Sequence, residues 1–248
     1  QEVDIPKIGG QILSSKVKEI LLDLMKKGSF DSKRRLPPES DISEAFGVSR
    51  SVIRDVYASL ELEGYIIRRR GWGTLINYPV LNNSLRLDLE SEFLRVVREA
   101  GYEPMILDVD VTKITEYTDI HKDLQLMEGQ EIIRIDRTIT ADGDPVIFCI
   151  NCFSSDIVKR EIKEEKEYRL PIYDFFHEYC QTAVHFELSR IQAISMDSTV
   201  ADKLARKEGD PVLYLKEIAY DIEQVPLLWS KVYHLSDRLK YTLYRKKI

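Results

Sequence analysis

Arg50 and Arg54 stand four residues apart with Ser51 between them, in the run Gly47-Val48-Ser49-Arg50-Ser51-Val52-Ile53-Arg54. On a helix that spacing places both guanidinium groups on one face, a turn apart. A guanidinium is a planar fork of donors that pairs bidentately with the O6 and N7 acceptors of guanine, and a serine hydroxyl beside it reaches a base or a phosphate. Further on, Arg68-Arg69-Arg70-Gly71-Trp72-Gly73-Thr74 joins three cations to a glycine-rich turn. Backbone without a Cβ can approach a sugar-phosphate surface closely. A different chemistry is suggested by Arg137, which shares one face of a strand pattern with Ile133, Ile135 and Ile139. A guanidinium on an apolar face needs an acceptor, because a lone buried charge is strongly disfavoured. Either an internal carboxylate such as Glu187 or Glu217 supplies it, or an acidic small molecule does.

The elements that must position the first set are readable from spacing. Leu13, Val17, Ile20, Leu21 and Leu24 recur at helical intervals and Gly28 follows, which predicts a first helix of about three turns. A second helix opens after Pro37-Pro38 and runs to Phe46. Gly47 turns the chain, and Ser49 caps the next helix. At about 100° per residue, Val52, Ile53, Val56 and Leu60 form the core-facing stripe of that helix, and Arg50, Ser51, Arg54, Tyr57 and Ala58 face outward. Gly64 then ends the helix, Tyr65 to Arg68 read as a strand, and Arg70 to Thr74 read as a tight turn. This is a helix-turn-helix followed by a wing.

Charge is divided along the chain. Residues 1–80 hold 13 Lys/Arg and 11 Asp/Glu, a balance of +2, and the remainder holds 23 and 31, a balance of −8, which together give the net −6. The basic residues of the first part cluster in Lys33-Arg34-Arg35 and Arg68-Arg69-Arg70, the sequence form of a positive patch. Cys149, Cys152 and Cys180 are too few for a secreted disulfide framework. Cys149 and Cys152 have the spacing of a metal or redox pair, but on a strand they point to opposite faces and read as core residues. His121, His177, His185 and His234 form no close-spaced ligand pair. No apolar run is long enough for a bilayer span and the N-terminus has no signal-like pattern, so neither a membrane nor a cofactor is expected, and the protein is expected in the cytoplasm.

Periodicity lapses near residue 79, giving a division into 1–78, a linker 79–90, and a second domain 91–248. That second domain begins with a helix at 92–100. Strand patterns follow at 105–114, 131–140, 145–153, 184–195, 212–222 and 226–235, with helical patterns at 118–127, 171–181 and 198–208. Asp142-Gly143 is a hairpin signal. The expected fold class is α+β with two domains, the second a mainly antiparallel sheet with flanking helices. No glycine-rich phosphate loop, nucleophile elbow or His-Glu-x-x-His motif is present.

The stretch from Leu36-Pro37 through Gly47-Val48-Ser49-Arg50 to Glu63-Gly64-Tyr65 and Arg70-Gly71-Trp72-Gly73-Thr74 resembles the GntR family of bacterial transcriptional regulators over about forty contiguous positions. The resemblance implies that Arg50, Ser51, Arg54 and Gly71 contact DNA. Arg35, Ser40, Ser49, Arg70 and Gly73 complete the candidate DNA-binding set. Ser40 stands where many members carry a DNA-contacting arginine. Residues 91–245 look like the UTRA effector-binding domain of the HutC branch, which has a chorismate lyase-like fold. Leu126 to Arg137, Asp142-Gly143-Asp144-Pro145, Pro171-Ile172-Tyr173 and Glu208-Gly209-Asp210-Pro211 carry that likeness. Ser91, Arg137, Tyr173, Ser230 and His234 are the candidate effector-lining residues. Ile139, Pro171 and Leu228 depart from the phosphosugar-sensing pattern, which favours a more apolar acidic effector. The reading is a homodimeric repressor of a palindromic operator, with two alternatives: a chorismate lyase-like enzyme, or a module whose winged helix meets protein.

Overall fold

A computed structural model describes residues 10–30, 34–83, 85–89 and 92–246. The chain divides into two compact units, Gln1–Leu89 together with Thr242–Ile248, and Glu90–Tyr241.

The first unit is built around one helix that is buried along one side. Helices α1 (Gly10–Lys26), α2 (Glu39–Phe46) and α3 (Arg50–Leu62) are joined to a small sheet of β1 (Arg35–Leu36), β2 (Ile66–Arg69) and β3 (Gly73–Ile76), in the order β1-β3-β2. Gly47 ends α2 in the left-handed region, at φ 64°, and the Ser49 side chain accepts from the Val52 amide at 3.4 Å to begin α3. Ile53, Val56, Tyr57 and Leu60 of α3 are buried against Val17, Leu21 and Met25 of α1 and Ile42 of α2. Each such side chain contributes roughly 1.5–3 kcal/mol when removed from water.

Four expectations need correction. The first helix is longer than expected, and its buried stripe is Val17, Leu21 and Met25, whereas Leu13 and Ile20 are exposed. The spacing i, i+4, i+8 meets α3 along a single line, leaving the flanking apolar positions outside. Tyr57 is inside, because its ring lies at the edge of the stripe where its hydroxyl donates to the Pro37 carbonyl at 2.8 Å. The segment 79–90 is not a featureless linker. Its first residues belong to a short helix α4 (Tyr78–Leu81), and Arg86 forms a parallel bridge with Thr242. Thr242 to Ile248 group with this unit and not with the second domain as expected.

The guanidinium of Arg86 holds that returning segment. It sits over the rings of Tyr65 and Tyr244, at 5.2 and 5.3 Å from their centroids, pairs with Asp88 and donates to the Glu63 carbonyl. Gly64 lies under Tyr244 with φ +79°, so an added Cβ would fall inside the tyrosine ring's contact distance.

The second unit is one six-stranded antiparallel sheet in the order β4-β5-β6-β9-β8-β7. Its strands are β4 (Pro104–Ile114), β5 (Ile132–Ala141), β6 (Asp144–Ser154), β7 (Phe186–Ser195), β8 (Pro211–Tyr220) and β9 (Pro226–His234). Asp142 and Gly143 join β5 to β6 with φ 53° and 84°, the doubly positive geometry a tight hairpin requires. One sheet face carries Ile133, Ile135, Phe153 and Leu228 under α7 (Ile172–Phe175) and the π-helical turn Phe176–Cys180. The other carries Phe148 and Tyr233 under α8 (Ser198–Lys203), and Cys152 with Trp229 near Leu124, which follows α6 (Asp119–Asp123). The helices at 118–127, 171–181 and 198–208 are thus present but shorter, the second finishing as a π turn. Cys149 and Cys152 face opposite sides, as expected, and all three cysteines are free and buried. Burial pushes the Cys149 and Cys152 thiols up to about 12, so both stay neutral.

Replacing Gly64 by alanine is expected to destabilise the first unit by roughly 1–2 kcal/mol from the left-handed backbone alone, and further from the ring contact. Thermal unfolding of G64A and of G64A/Y244A separates the two contributions: the double variant should regain only the contact part. An unchanged melting temperature in G64A would refute the close approach.

Candidate nucleic-acid interface and effector cavity

The outer face of α3 is a row of exposed polar groups held by its buried side. Ser49, Arg50, Ser51 and Arg54 are all exposed, and Ser51 Oγ lies 2.8 Å from Ser49 Oγ, which fixes the hydroxyl at the helix N-terminus. Neither Arg50 nor Arg54 is paired with a carboxylate among the described residues. Ser40 is half-buried and its hydroxyl donates to Asp41 at 2.8 Å, so that proton is already engaged.

The wing presents Arg69, Arg70, Gly71, Trp72 and Gly73, all exposed. Gly71 and Gly73 have φ of 77° and 82°, backbone that a side chain would strain. Arg35 on β1 and Arg69 on β2 both lie over the Trp72 ring. Arg68 differs from the expectation that all three wing arginines are available. It reaches back to Glu39 at 3.6 Å and Glu61 at 3.4 Å and lies over Tyr57, so it braces the wing against the helices. Lys33, from the other basic cluster, lies outside the described residues.

In the second unit Arg137 is 3% exposed and forms no ion pair with a described carboxylate. Its Nε and Nη2 donate to the Tyr168 carbonyl at 3.0 and 2.8 Å, and its Nη1 donates to Asn151 Oδ1 at 2.9 Å. The salt bridge considered from sequence is absent: Glu187 accepts from Tyr173 at 3.0 Å and Glu217 accepts from Ser189 at 2.9 Å. Desolvation therefore pulls the Arg137 pKa below its usual value. Further N–H donors of the guanidinium remain, and the group lines a small cavity of about 20 Å³ with Glu92, Phe93, Ile139, Asn151 and Ile172. Phe93 belongs to α5 (Phe93–Glu99), which Glu92 precedes.

Tyr173 lies instead in a neighbouring cleft of about 350 Å³ with Arg95, Asp174 and His177, and Glu92 lines both. The Tyr173 amide donates to Glu92 at 3.1 Å. Ser230 is buried and accepts from Asn151 at 2.8 Å, so it reaches Arg137 only through that asparagine. Ser91 lies outside the described residues. Sequence reading passed over Asn151 and Glu92. Asn151 was detectable as the amide inside the otherwise apolar run Val146 to Phe153. Its alignment with Ser230, Glu217 and Ser189 across four neighbouring strands depends on pairing register and has no local signal.

A winged helix with an exposed arginine-bearing helix, joined to a sheet domain with an arginine-lined cavity, defines a transcriptional regulator with a sensing domain. The chain belongs to the gntR family of bacterial regulatory proteins, whose model matches residues 13–76, and it carries a UTRA domain matched over residues 99–240. Proteins of this family regulate transcription and are not enzymes. The chain is 27% identical over 226 residues to the HTH-type transcriptional regulator GgaR of Escherichia coli K12, covering 90% of this chain and 86% of that one. It is 23% identical over 235 residues to the HTH-type transcriptional repressor NagR of Bacillus subtilis, covering 94% of each. Among solved structures, the possible transcriptional regulator YydK of Bacillus subtilis shares the fold, with a TM-score of 0.71 at 17% identity over 94% of this chain and 100% of that one. No helix among the described residues is long and apolar enough to cross a membrane.

His234 is fully enclosed, with its Nδ1 2.7 Å from the Tyr241 hydroxyl and its ring edge-on to Phe93. Burial lowers its pKa from 6.5 to about 3. The unfolded chain therefore takes up a proton below pH 6.5 that the folded chain refuses until about pH 3, and stability conferred by neutral His234 is lost as pH falls through that window. Relative to His234→Gln, wild-type protein should lose about 2 kcal/mol between pH 7 and pH 5, read from denaturant unfolding. Parallel pH profiles for the two proteins would overturn this assignment.

Proposed function

We propose that the protein is a repressor that binds a short palindromic operator as a homodimer and is controlled by a small acidic effector. The observation that carries the DNA-contact assignment is the exposed N-terminal face of α3, where Arg50 and Arg54 flank Ser51 and pair with no carboxylate among the described residues. The arginines read base edges in the major groove. Ser49, Ser51, Arg35 and Arg70 hold phosphates, and the backbone at Gly71 and Gly73 lies close to the duplex. Ser40 contributes weakly, since its proton is shared with Asp41.

One helix-turn-helix covers few base pairs, so a two-fold pair of chains reading two half-sites supplies the specificity a regulator needs. Strand β7 supports such pairing. It is an edge strand of ten residues without proline or lysine, and it exposes Phe186, Leu188 and Ile191. An unpaired apolar edge of that length is a template for another strand.

Arg137 anchors the effector's anion through its remaining donors, while Phe93, Ile106, Ile139 and Ile172 receive an apolar body. Ser230 and His234 set the site from behind, through Asn151 and Phe93 respectively. A cavity of about 20 Å³ holds about one water, so the effector enters only as α5 or α7 shifts. Such a shift gives effector and DNA differential affinity for two states, and linkage makes the effect reciprocal.

The test is fluorescence anisotropy on an operator selected from random DNA, across a salt series. R50A/R54A should bind at least about thirtyfold more weakly, because each bidentate base contact contributes roughly 1–3 kcal/mol. Arg137→Gln should keep operator affinity and lose the effector response, and Ile191→Lys should shift the dimer to monomer in sedimentation. Operator binding indifferent to Arg50 and Arg54 would refute the contact assignment. Dimerisation unchanged by Ile191→Lys would remove the β7 interface.

A further inference from the structure

Trp72 is 51% exposed at the tip of the wing, between Gly71 and Gly73. A solvated indole is an unfavourable way to end a hairpin, and nothing in the core of the unit uses it. The wing nevertheless holds it in place. The Trp72 amide donates to the Arg69 carbonyl at 2.9 Å, closing the turn, and two guanidinium groups from different strands converge on its ring. Arg69 lies 4.8 Å and Arg35 5.9 Å from the ring centroid. Cation–π contacts of this kind orient both the ring and the charges.

We propose that Trp72 is a specificity determinant that reads A·T base pairs in the minor groove beneath the wing. The indole Nε1–H can donate a hydrogen bond and cannot accept one. In the minor groove an A·T pair shows only acceptors, adenine N3 and thymine O2, whereas a G·C pair places a guanine amine donor there. A donor-only side chain therefore finds partners over A·T and opposition over G·C. The flanking guanidinium groups strengthen the preference, since narrow A·T-rich minor grooves concentrate negative potential that attracts arginine. Arg70, also exposed on the wing, belongs to the proposed DNA-contacting set, and Arg68 ties the same hairpin to Tyr57 and Glu61 of α3. The inference rests on that surface lying against DNA and adds base preference at positions α3 does not reach.

The chain has two tryptophans, and the other, Trp229, is buried. Change in solvent-accessible tryptophan emission therefore reports Trp72. Acrylamide quenching of the accessible component should fall when operator is added, and Trp72→Phe should abolish that change. Operators selected separately with wild type, Trp72→Phe and Trp72→Ala provide the second readout. Wild type should enrich A·T pairs at positions outside those specified by Arg50 and Arg54. Both variants should lose that enrichment while keeping the α3 positions, and wild-type preference for an A·T over a G·C wing site should be about tenfold, the size of one mismatched pair. Phenylalanine keeps the ring and loses the donor, so a preference retained in Trp72→Phe overturns the hydrogen-bond account. Equal weakening on all sequences in Trp72→Ala would reduce the residue to a support for arginine and overturn the proposal. If R50A/R54A loses binding while Trp72 variants behave as wild type, the wing assignment alone fails.

Discussion

Burial of one side of α3 is the constraint from which the rest of the first unit follows. Ile53, Val56, Tyr57 and Leu60 leave no freedom of rotation about the helix axis, because turning it would expose them and bury Arg50 or Arg54. The outer face is thus set by the inner one. Tyr57 completes the lock at the stripe's edge: burial keeps its phenol protonated well above the usual range, so it remains a donor to the Pro37 carbonyl at the start of α2. Arg68 extends the same logic to the hairpin. By tying β2 to Glu39 and Glu61 it gives up contact with a partner and in exchange fixes where Arg69, Arg70 and Trp72 are presented.

The second unit solves a harder problem, the placement of polar groups inside an apolar sheet face. Arg137 is buried without a carboxylate and is held by neutral acceptors, the Tyr168 carbonyl and Asn151. A direct ion pair would have satisfied the charge and closed the site. Neutral acceptors hold the guanidinium in one geometry and leave its charge without a direct ion pair, with the Glu92 carboxylate of the same cavity acting on it electrostatically. Asn151 is itself oriented by Ser230, so the polar groups form a connected set across strands and not a scatter of isolated defects.

Features whose cause is local were readable from sequence. Gly47 and Ser49 announce the turn and the cap, Asp142-Gly143 the hairpin, and period-two alternation alone places Arg137 on the apolar face. Features decided by distant partners were not. Tyr57 was assigned outward because helical angle alone cannot see the Pro37 carbonyl, and Arg68 was counted with its neighbours because its carboxylate partners come from two other segments. The return of Thr242 to Arg86 spans most of the chain and leaves no periodic trace, so residues 79–90 read as a linker. Arg137 was recognised as needing a partner, yet which partner depended on strand register and on the loop carrying Tyr168.

Net charge −6 looks unfavourable for a protein that binds DNA, and its distribution resolves the difficulty. Salt screens charges beyond roughly 8 Å at physiological ionic strength, so the local field at the α3 face is set mainly by Arg50, Arg54 and the other charges within its own unit. The balance of −8 beyond residue 80 then has its own consequence. An acidic domain has little affinity of its own for a polyanion, so the basic face of the winged helix is the part of the chain whose charge suits nucleic acid. A net-acidic chain gains little sequence-independent attraction to a polyanion, which places the burden of discrimination on individual side chains rather than on overall charge.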